Sequence, residues 1–164
     1  HTSLGGYGLV ASIVKNDRRV IIILNGLKSS KQRANESEKF AKIAFNQYSN
    51  ITISDKNTVI KSLNVWNGKK KIVNVVSGDD LVITIPKKLK NKISFFVKHK
   101  HPILAPVKEG QIIAELSVKK KNTEVKIANF NLYAKESIEK ISFFPKIYHN
   151  FKYLILGDSI FSEQ

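Results

Sequence analysis

Hydrophobic residues alternate between two kinds of pattern along this chain, β-type runs and a helical spacing. Residues 7–14 form one apolar-rich run, Asn16 and Asp17 supply turn chemistry, and residues 19–24 form a second, β-branched run. This pattern predicts a β-hairpin over 7–28. The second run lacks polar alternation and so predicts a strand buried on both faces, ended by Asn25 and Gly26. Over 30–48 the spacing changes to three and four. Ala34, Ser37, Phe40, Ala41, Ala44, Phe45 and Tyr48 share one stripe, which predicts an amphipathic helix. Ser29 as N-cap with Gln32 three residues on fits a capping box, and Glu38 with Lys42 is a favourable i,i+4 pair. Such a strand–strand–helix unit has too little core to be stable alone. It is expected to complete a sheet whose other strands lie outside this sequence.

From residue 57 to 132 the pattern becomes short β-type runs at 59–63, 71–76, 81–86, 93–98, 112–118 and 125–132. Turn residues separate them, including Asn67 with Gly68, Ser77 to Asp79, and Glu109 with Gly110. These runs predict a small all-β sandwich or barrel. Over 137–156 a helical period returns. Ile138, Ile141, Phe144, Tyr148, Phe151 and Ile155 fall on one face, Lys140, Lys146 and Lys152 lie elsewhere, and Pro145 should kink the helix. An amphipathic, aromatic-rich helix bearing lysines suits a membrane interface; docking on the β domain is the alternative.

Composition narrows the function. Of 164 residues, 42% are hydrophobic and 25% charged, a globular balance. No apolar run reaches the roughly 18 residues of a spanning helix. The absence of cysteine excludes disulfides, thiolate metal sites and cysteine nucleophiles. The formal net charge is +15, which favours anionic surfaces. Yet Arg18, Arg19 and Arg33 are the only arginines, and no strand alternates aromatic with basic residues as a stacking platform needs. A nucleic-acid partner is therefore not expected. The chain opens at His1 and contains no methionine, so a processed product or a fragment is expected.

A search for catalytic groups yields little. His99 and His101 alternate on one side of a possible strand but have no carboxylate near them in sequence, so no metal site is expected. No glycine-rich phosphate loop precedes a helix. Ser-x-x-Lys, a serine-nucleophile signature, occurs at Ser12, Ser117 and Ser137, close to the number that chance produces in so lysine-rich a chain. All three are read as coincidental, and so is Ser62 with Asn64 as a Ser-x-Asn match.

Longer patterns are more specific. His1-Thr2, residues 6–12, residues 19–26, and the helix start from Ser29 through Arg33 to Lys39 resemble the end of the catalytic domain of low-molecular-mass penicillin-binding proteins. These are serine-type D-alanyl-D-alanine carboxypeptidases. Residues 65–68, 82–86 and 104–111 resemble that family's C-terminal β domain, and 137–156 its amphipathic anchor helix. The resemblance implies an α+β chain. A partial strand–strand–helix unit of a transpeptidase/β-lactamase-like domain (1–50) would precede an all-β sandwich (51–134), then the C-terminal amphipathic helix and tail (135–164).

The resemblance also implies acyl transfer from a peptidoglycan stem peptide to a serine, without metal or organic cofactor, and acylation of that serine by β-lactams. It implies a location on the periplasmic face of the bacterial inner membrane, against an anionic lipid surface, and a role in cell-wall synthesis and cell shape. In the family Lys-Thr-Gly precedes the position of His1, while Ser-x-x-Lys and Ser-x-Asn lie far upstream. This chain is therefore expected to be a C-terminal fragment without a catalytic residue of its own, inactive alone. His1 and Thr2 would line the substrate cleft. Arg33 would pair with the substrate's terminal carboxylate, for which a planar guanidinium is suited. Ile141, Phe144, Tyr148, Phe151 and Ile155 would anchor the tail. The alternative is a non-catalytic β module serving as a membrane pedestal or a platform for partners.

Overall fold

The computed structural model describes residue 2 and residues 5–141. These divide into two compact units. One holds the described residues up to Ile51 together with Ile83–Lys92; the other holds Thr52–Val82 and the described residues from Ile93 on.

In the first unit, β1 (Tyr7–Lys15) pairs antiparallel with β2 (Arg18–Leu27). Asn16 and Asp17 both take positive φ, 50° and 57°, the two-residue turn whose twist matches a hairpin. Helix α1 (Ser30–Gln47) packs on one face of this ribbon. The Ser29 side chain accepts a hydrogen bond from the Gln32 N–H at 3.1 Å, as a capping box requires. The Gln32 side-chain oxygen accepts from the Lys28 N–H, one residue earlier than the reciprocal bond of the ideal box. Glu38 and Lys42 pair at 2.6 Å.

The expected helix stripe is only half correct. Ser37, Ala41, Ala44 and Phe45 are partly buried, but Ala34, Phe40 and Tyr48 are exposed, and Gln32, Arg33 and Ile43 share the covered side instead. The expectation of a strand buried on both faces also changes. Ile22 is buried under α1, whereas Val10, Val14, Ile21 and Ile23 line an open face, with Val10 and Ile23 over 70% exposed (73% and 72%). Nothing among the described residues covers them. β3 (Tyr48–Ser54) and β6 (Leu81–Pro86) form a separate two-stranded sheet, and in the first unit the Thr84 hydroxyl donates to the Asn50 side chain at 2.8 Å.

The second unit is a six-stranded sheet. Its strands are β4 (Val59–Trp66), β5 (Ile72–Ser77), β7 (Ile93–His99), β8 (Ile103–Leu104), β9 (Ile112–Lys120) and β10 (Lys126–Ala134), in the order β7-β9-β10-β5-β4-β8. All pairs are antiparallel except β4 with β8. All six expected β-type runs become strands. β3 and β8 were not anticipated, since β3 begins where the helix pattern ends and β8 has only two residues. One face of the sheet supplies a core of Leu63, Val65, Val73, Val75, Leu116 and Leu132, joined by Ile103, Val107 and Ile138.

Ile138 corrects the expected tail helix at its start. Residues 137–141 contain no helical turn. Ile138 is 2% exposed, and its backbone exchanges two hydrogen bonds with Val107, at 2.8 and 2.9 Å. The Lys69 N–H donates to the Glu139 carbonyl at 2.8 Å and the Ile141 N–H to the Asn67 carbonyl at 3.0 Å. Gly68 permits this approach, because a Cβ there would lie 2.8 Å from the Ile138 Cγ2. Ile141, expected in the anchor, is therefore tied to the β domain by its backbone. Phe144, Tyr148, Phe151 and Ile155 lie outside the described residues. Among the described residues no helix is long and apolar enough to cross a membrane.

Ion pairs reinforce the outgoing segment: Lys69 with Glu139 and Lys70 with Glu136. A hydrogen bond and the charge of Lys69 hold the Glu139 carboxyl below its ordinary pKa.

Two outcomes follow from this segment. Ile138→Ala should cost about 2–5 kcal/mol in urea unfolding, as expected for a core aliphatic with its cavity. Lys69→Gln should raise the Glu139 midpoint toward the ordinary carboxylate value in an NMR titration. The wild-type pair stabilises fully above the unfolded carboxylate pKa, and its contribution is lost as pH falls through the lower folded value. An unchanged Glu139 midpoint would mean that the pair does not persist in solution.

Candidate functional site

The sequence-derived site residues in the first unit lie around the start of β1 and the start of α1. Thr2 closes a tight turn: its N–H and carbonyl bond Gly6 at 3.3 and 2.9 Å, and its hydroxyl accepts from the Gly5 N–H at 2.9 Å. Gly6 has φ +66°, and a Cβ there would lie 2.8 Å from the Leu27 carbonyl, so only glycine fits without strain. His1 lies outside the described residues.

Directly after this turn comes Tyr7, and the Arg33 guanidinium stands over its ring at 5.8 Å. Tyr7 thus orients Arg33 as well as packing. The guanidinium N–H groups are the donors that a carboxylate would take in bidentate fashion. One of them reaches the Ser30 hydroxyl at a long 3.4 Å. No carboxylate of the described residues pairs with Arg33; Glu36, its natural competitor, pairs with Lys39 at 3.3 Å instead. This arrangement brings Arg33 and Tyr7 together, with Thr2 on the turn that leads into Tyr7.

The three Ser-x-x-Lys matches lack the geometry of a nucleophile with its base. In a strand, residues three apart point to opposite faces, whereas on a helix they share one. Ser12 and Lys15 lie in β1, and the Ser12 hydroxyl accepts from Arg19 at 2.7 Å. Ser117 and Lys120 lie in β9, where Ser117 is fully buried and donates to Asn129. Ser137 lies on the outgoing segment and accepts from the Glu109 N–H. His99 and His101 meet edge-on with ring centroids 6.0 Å apart, and no group of three potential metal ligands occurs among the described residues.

One feature of the first unit had no signal in the helix pattern. α1 has no basic residue in its last turn. Two carbonyls at its C-terminus are satisfied by Arg18 of the hairpin, which donates to the Ala44 and Tyr48 carbonyls at 2.5 and 2.7 Å and lies over the Phe45 ring at 5.4 Å, and the Phe45 carbonyl accepts from Lys87 at 3.2 Å. Beside it an open groove of about 530 Å³ runs along β2, walled by Ile21, Ile23, Phe40 and Ile43. The exposure of apolar residues on the hairpin and the helix is one property of this groove and of the open sheet face.

Solved structures place this architecture among the penicillin-binding proteins. The chain is similar to penicillin binding protein 5 from Haemophilus influenzae, with a TM-score of 0.78 and 27% identity, over 85% of this chain and 41% of that one. It is also similar to the D-alanyl-D-alanine carboxypeptidase DacD from Francisella tularensis, with a TM-score of 0.68 and 26% identity, over 86% and 35%. The family model for the penicillin-binding protein 5 C-terminal domain matches residues 48–140, and the chain belongs to that family.

Among curated relatives, the D-alanyl-D-alanine carboxypeptidase DacC of Escherichia coli (strain K12) is 29% identical over 148 residues, 90% of this chain. DacF of Bacillus subtilis (strain 168) is 30% identical over 144 residues, 87% of this chain. The chain spans 36% of the length of each of these two relatives.

Arg18→Lys tests the helix clamp. A single ammonium nitrogen cannot take the places of the two guanidinium nitrogens that reach the two carbonyls, so the substitution should cost about 1–2 kcal/mol and speed amide exchange in the last turns of α1. Unaltered exchange there would show that the clamp is dispensable.

Proposed function

We propose that this chain is the C-terminal part of a D-alanyl-D-alanine carboxypeptidase, which removes the terminal D-Ala from peptidoglycan stem peptides through a serine acyl-enzyme. The observation that carries the reading is the alignment to D-alanyl-D-alanine carboxypeptidases across nearly the whole chain, combined with the open apolar face of the hairpin. A two-stranded ribbon with Val10, Val14, Ile21 and Ile23 uncovered is marginal by itself. It gains its second layer and its neighbouring strands from preceding polypeptide, in this reading.

The nucleophilic serine, its lysine and the Lys-Thr-Gly strand then also come from that polypeptide. The serine attacks the peptide carbonyl, the lysine takes its proton, backbone N–H groups hold the oxyanion, and water releases the acyl group. β-Lactams acylate the same serine. Arg33, held on Tyr7, binds the substrate's terminal carboxylate, with His1 and Thr2 beside the peptide. The boundaries 1–50, 51–134 and 135–164 give the end of a catalytic domain, a β domain and a tail. That tail, through Phe144, Tyr148, Phe151 and Ile155, attaches the protein to the periplasmic face of the inner membrane.

The test is activity with and without the preceding polypeptide. The 164-residue chain alone should neither release D-Ala from a pentapeptide nor take up a fluorescent penicillin. The reading frame before the His1 codon should encode Lys-Thr-Gly with Ser-x-x-Lys upstream. In the protein that includes it, Arg33→Ala should raise KM for the pentapeptide by about tenfold or more, the weight of a charge-assisted hydrogen bond, and affect penicillin uptake less. A labelled band from the 164-residue chain would overturn the assignment of the nucleophile to preceding polypeptide.

A further inference from the structure

Strand β7 ends the six-stranded sheet, and no described strand pairs with its outer edge. An edge row of backbone N–H and C=O groups is a template for another strand, and proteins commonly guard it with lysines. β7 is guarded in part only. Phe95 and Phe96, adjacent at its centre, are 47% and 48% exposed and point to opposite faces. Exposed aromatics at the centre of an unpaired edge strand favour strand addition.

The charges around this edge select the partner. On the Phe96 face, register places Lys98 opposite Glu115, Ser94 opposite Lys119, and Lys119 opposite Lys126. The Lys119 ammonium lies 5.6 Å from the centre of the Phe96 ring and pairs with Glu124. Lys100 follows β7, and Lys120 and Lys121 end and follow β9. Apart from Glu115 and Glu124, the ionised groups here are cationic. A second copy of a chain with net charge +15 would be repelled.

We propose that the β7 edge docks an extended acidic segment of a partner protein, which adds as a seventh strand. A residue directly opposite on an added strand lies about 5 Å away at Cβ. An acidic side chain opposite Lys98, flanked by β-branched residues opposite Phe95, Phe96 and Val97, is therefore the complementary pattern. Main-chain bonds supply affinity, and the aromatic and lysine positions supply specificity.

The experiment uses the 164-residue chain and a labelled peptide, Asp-Glu-Val-Ile-Val-Glu-Asp, whose palindromic order serves either strand direction. Fluorescence anisotropy should show it binding at least tenfold more tightly than Asp-Glu-Val-Pro-Val-Glu-Asp, which keeps the charge but breaks pairing, and than a lysine-for-acid version. Amides of β7 should gain protection from exchange when the acidic peptide is added. Phe96→Ala and Lys98→Glu should each weaken binding about tenfold, with thermal melting showing that both variants stay folded. Equal binding of the proline peptide, chemical-shift changes centred away from β7, or no binding at millimolar peptide would overturn the proposal. So would anionic vesicles or a concentration-dependent second copy protecting β7 where the peptide does not.

Discussion

The β domain depends on a constraint at its exit. Residues 137–141 are drawn between Val107 and the turn at Asn67 to Lys69 by four backbone hydrogen bonds, and Ile138 is pushed into the core there. Backbone pairing and apolar burial act together at this point. The buried side chain excludes water from the bonds, and the bonds hold the side chain in register. Gly68 is small because Ile138 passes over it. The family model reaches residue 140, within this hydrogen-bonded segment.

The first unit is governed by an uncovered apolar face. α1 covers one face of the hairpin and its C-terminus is clamped by Arg18, so local order is high. The other face nevertheless shows Val10, Val14, Ile21 and Ile23 to solvent. Stability per residue is small in any protein, and an open face on a two-stranded ribbon is a cost that a further layer removes. This separates the two units in kind. The β domain closes its own core, while the hairpin keeps one apolar face uncovered among the described residues. Arg33, set over the Tyr7 ring, belongs instead to the side of the hairpin that α1 covers.

Most of the fold was legible because its strands are β-branched runs cut by turn residues. Each expected run in the β domain became a strand, and β6 matches at both ends. Two elements escaped. β3 starts at Tyr48, where the helical stripe still appeared to continue, and its identity as a strand depends on pairing with β6, far along the chain. β8 is two residues held by parallel pairing to Val65 and Trp66. The tail showed the same weakness. Ile138 and Ile141 are three apart, which suits a helix, but partners near residues 67 and 107 impose an extended backbone. In the candidate site Arg33 was visible from its position in a family pattern, whereas its support by Tyr7 was not, since the two are brought together only when α1 packs on β1.

The sequence alone determined the family, the hairpin with its Asn16-Asp17 turn, the Ser29 cap and the set of β-domain strands. Those properties are encoded in residues close together, through conformational preference and local hydrogen bonding. Tertiary structure decided what depends on distant partners. It made one face of β2 buried and the other open, because among the described residues α1 alone packs on the hairpin, and on one side of it. It supplied Arg18 as the missing C-terminal cap of α1, left the outer edge of β7 unpaired with its two phenylalanines exposed, and turned the beginning of an apparent helix into an extended segment by offering it hydrogen-bond partners on two distant loops.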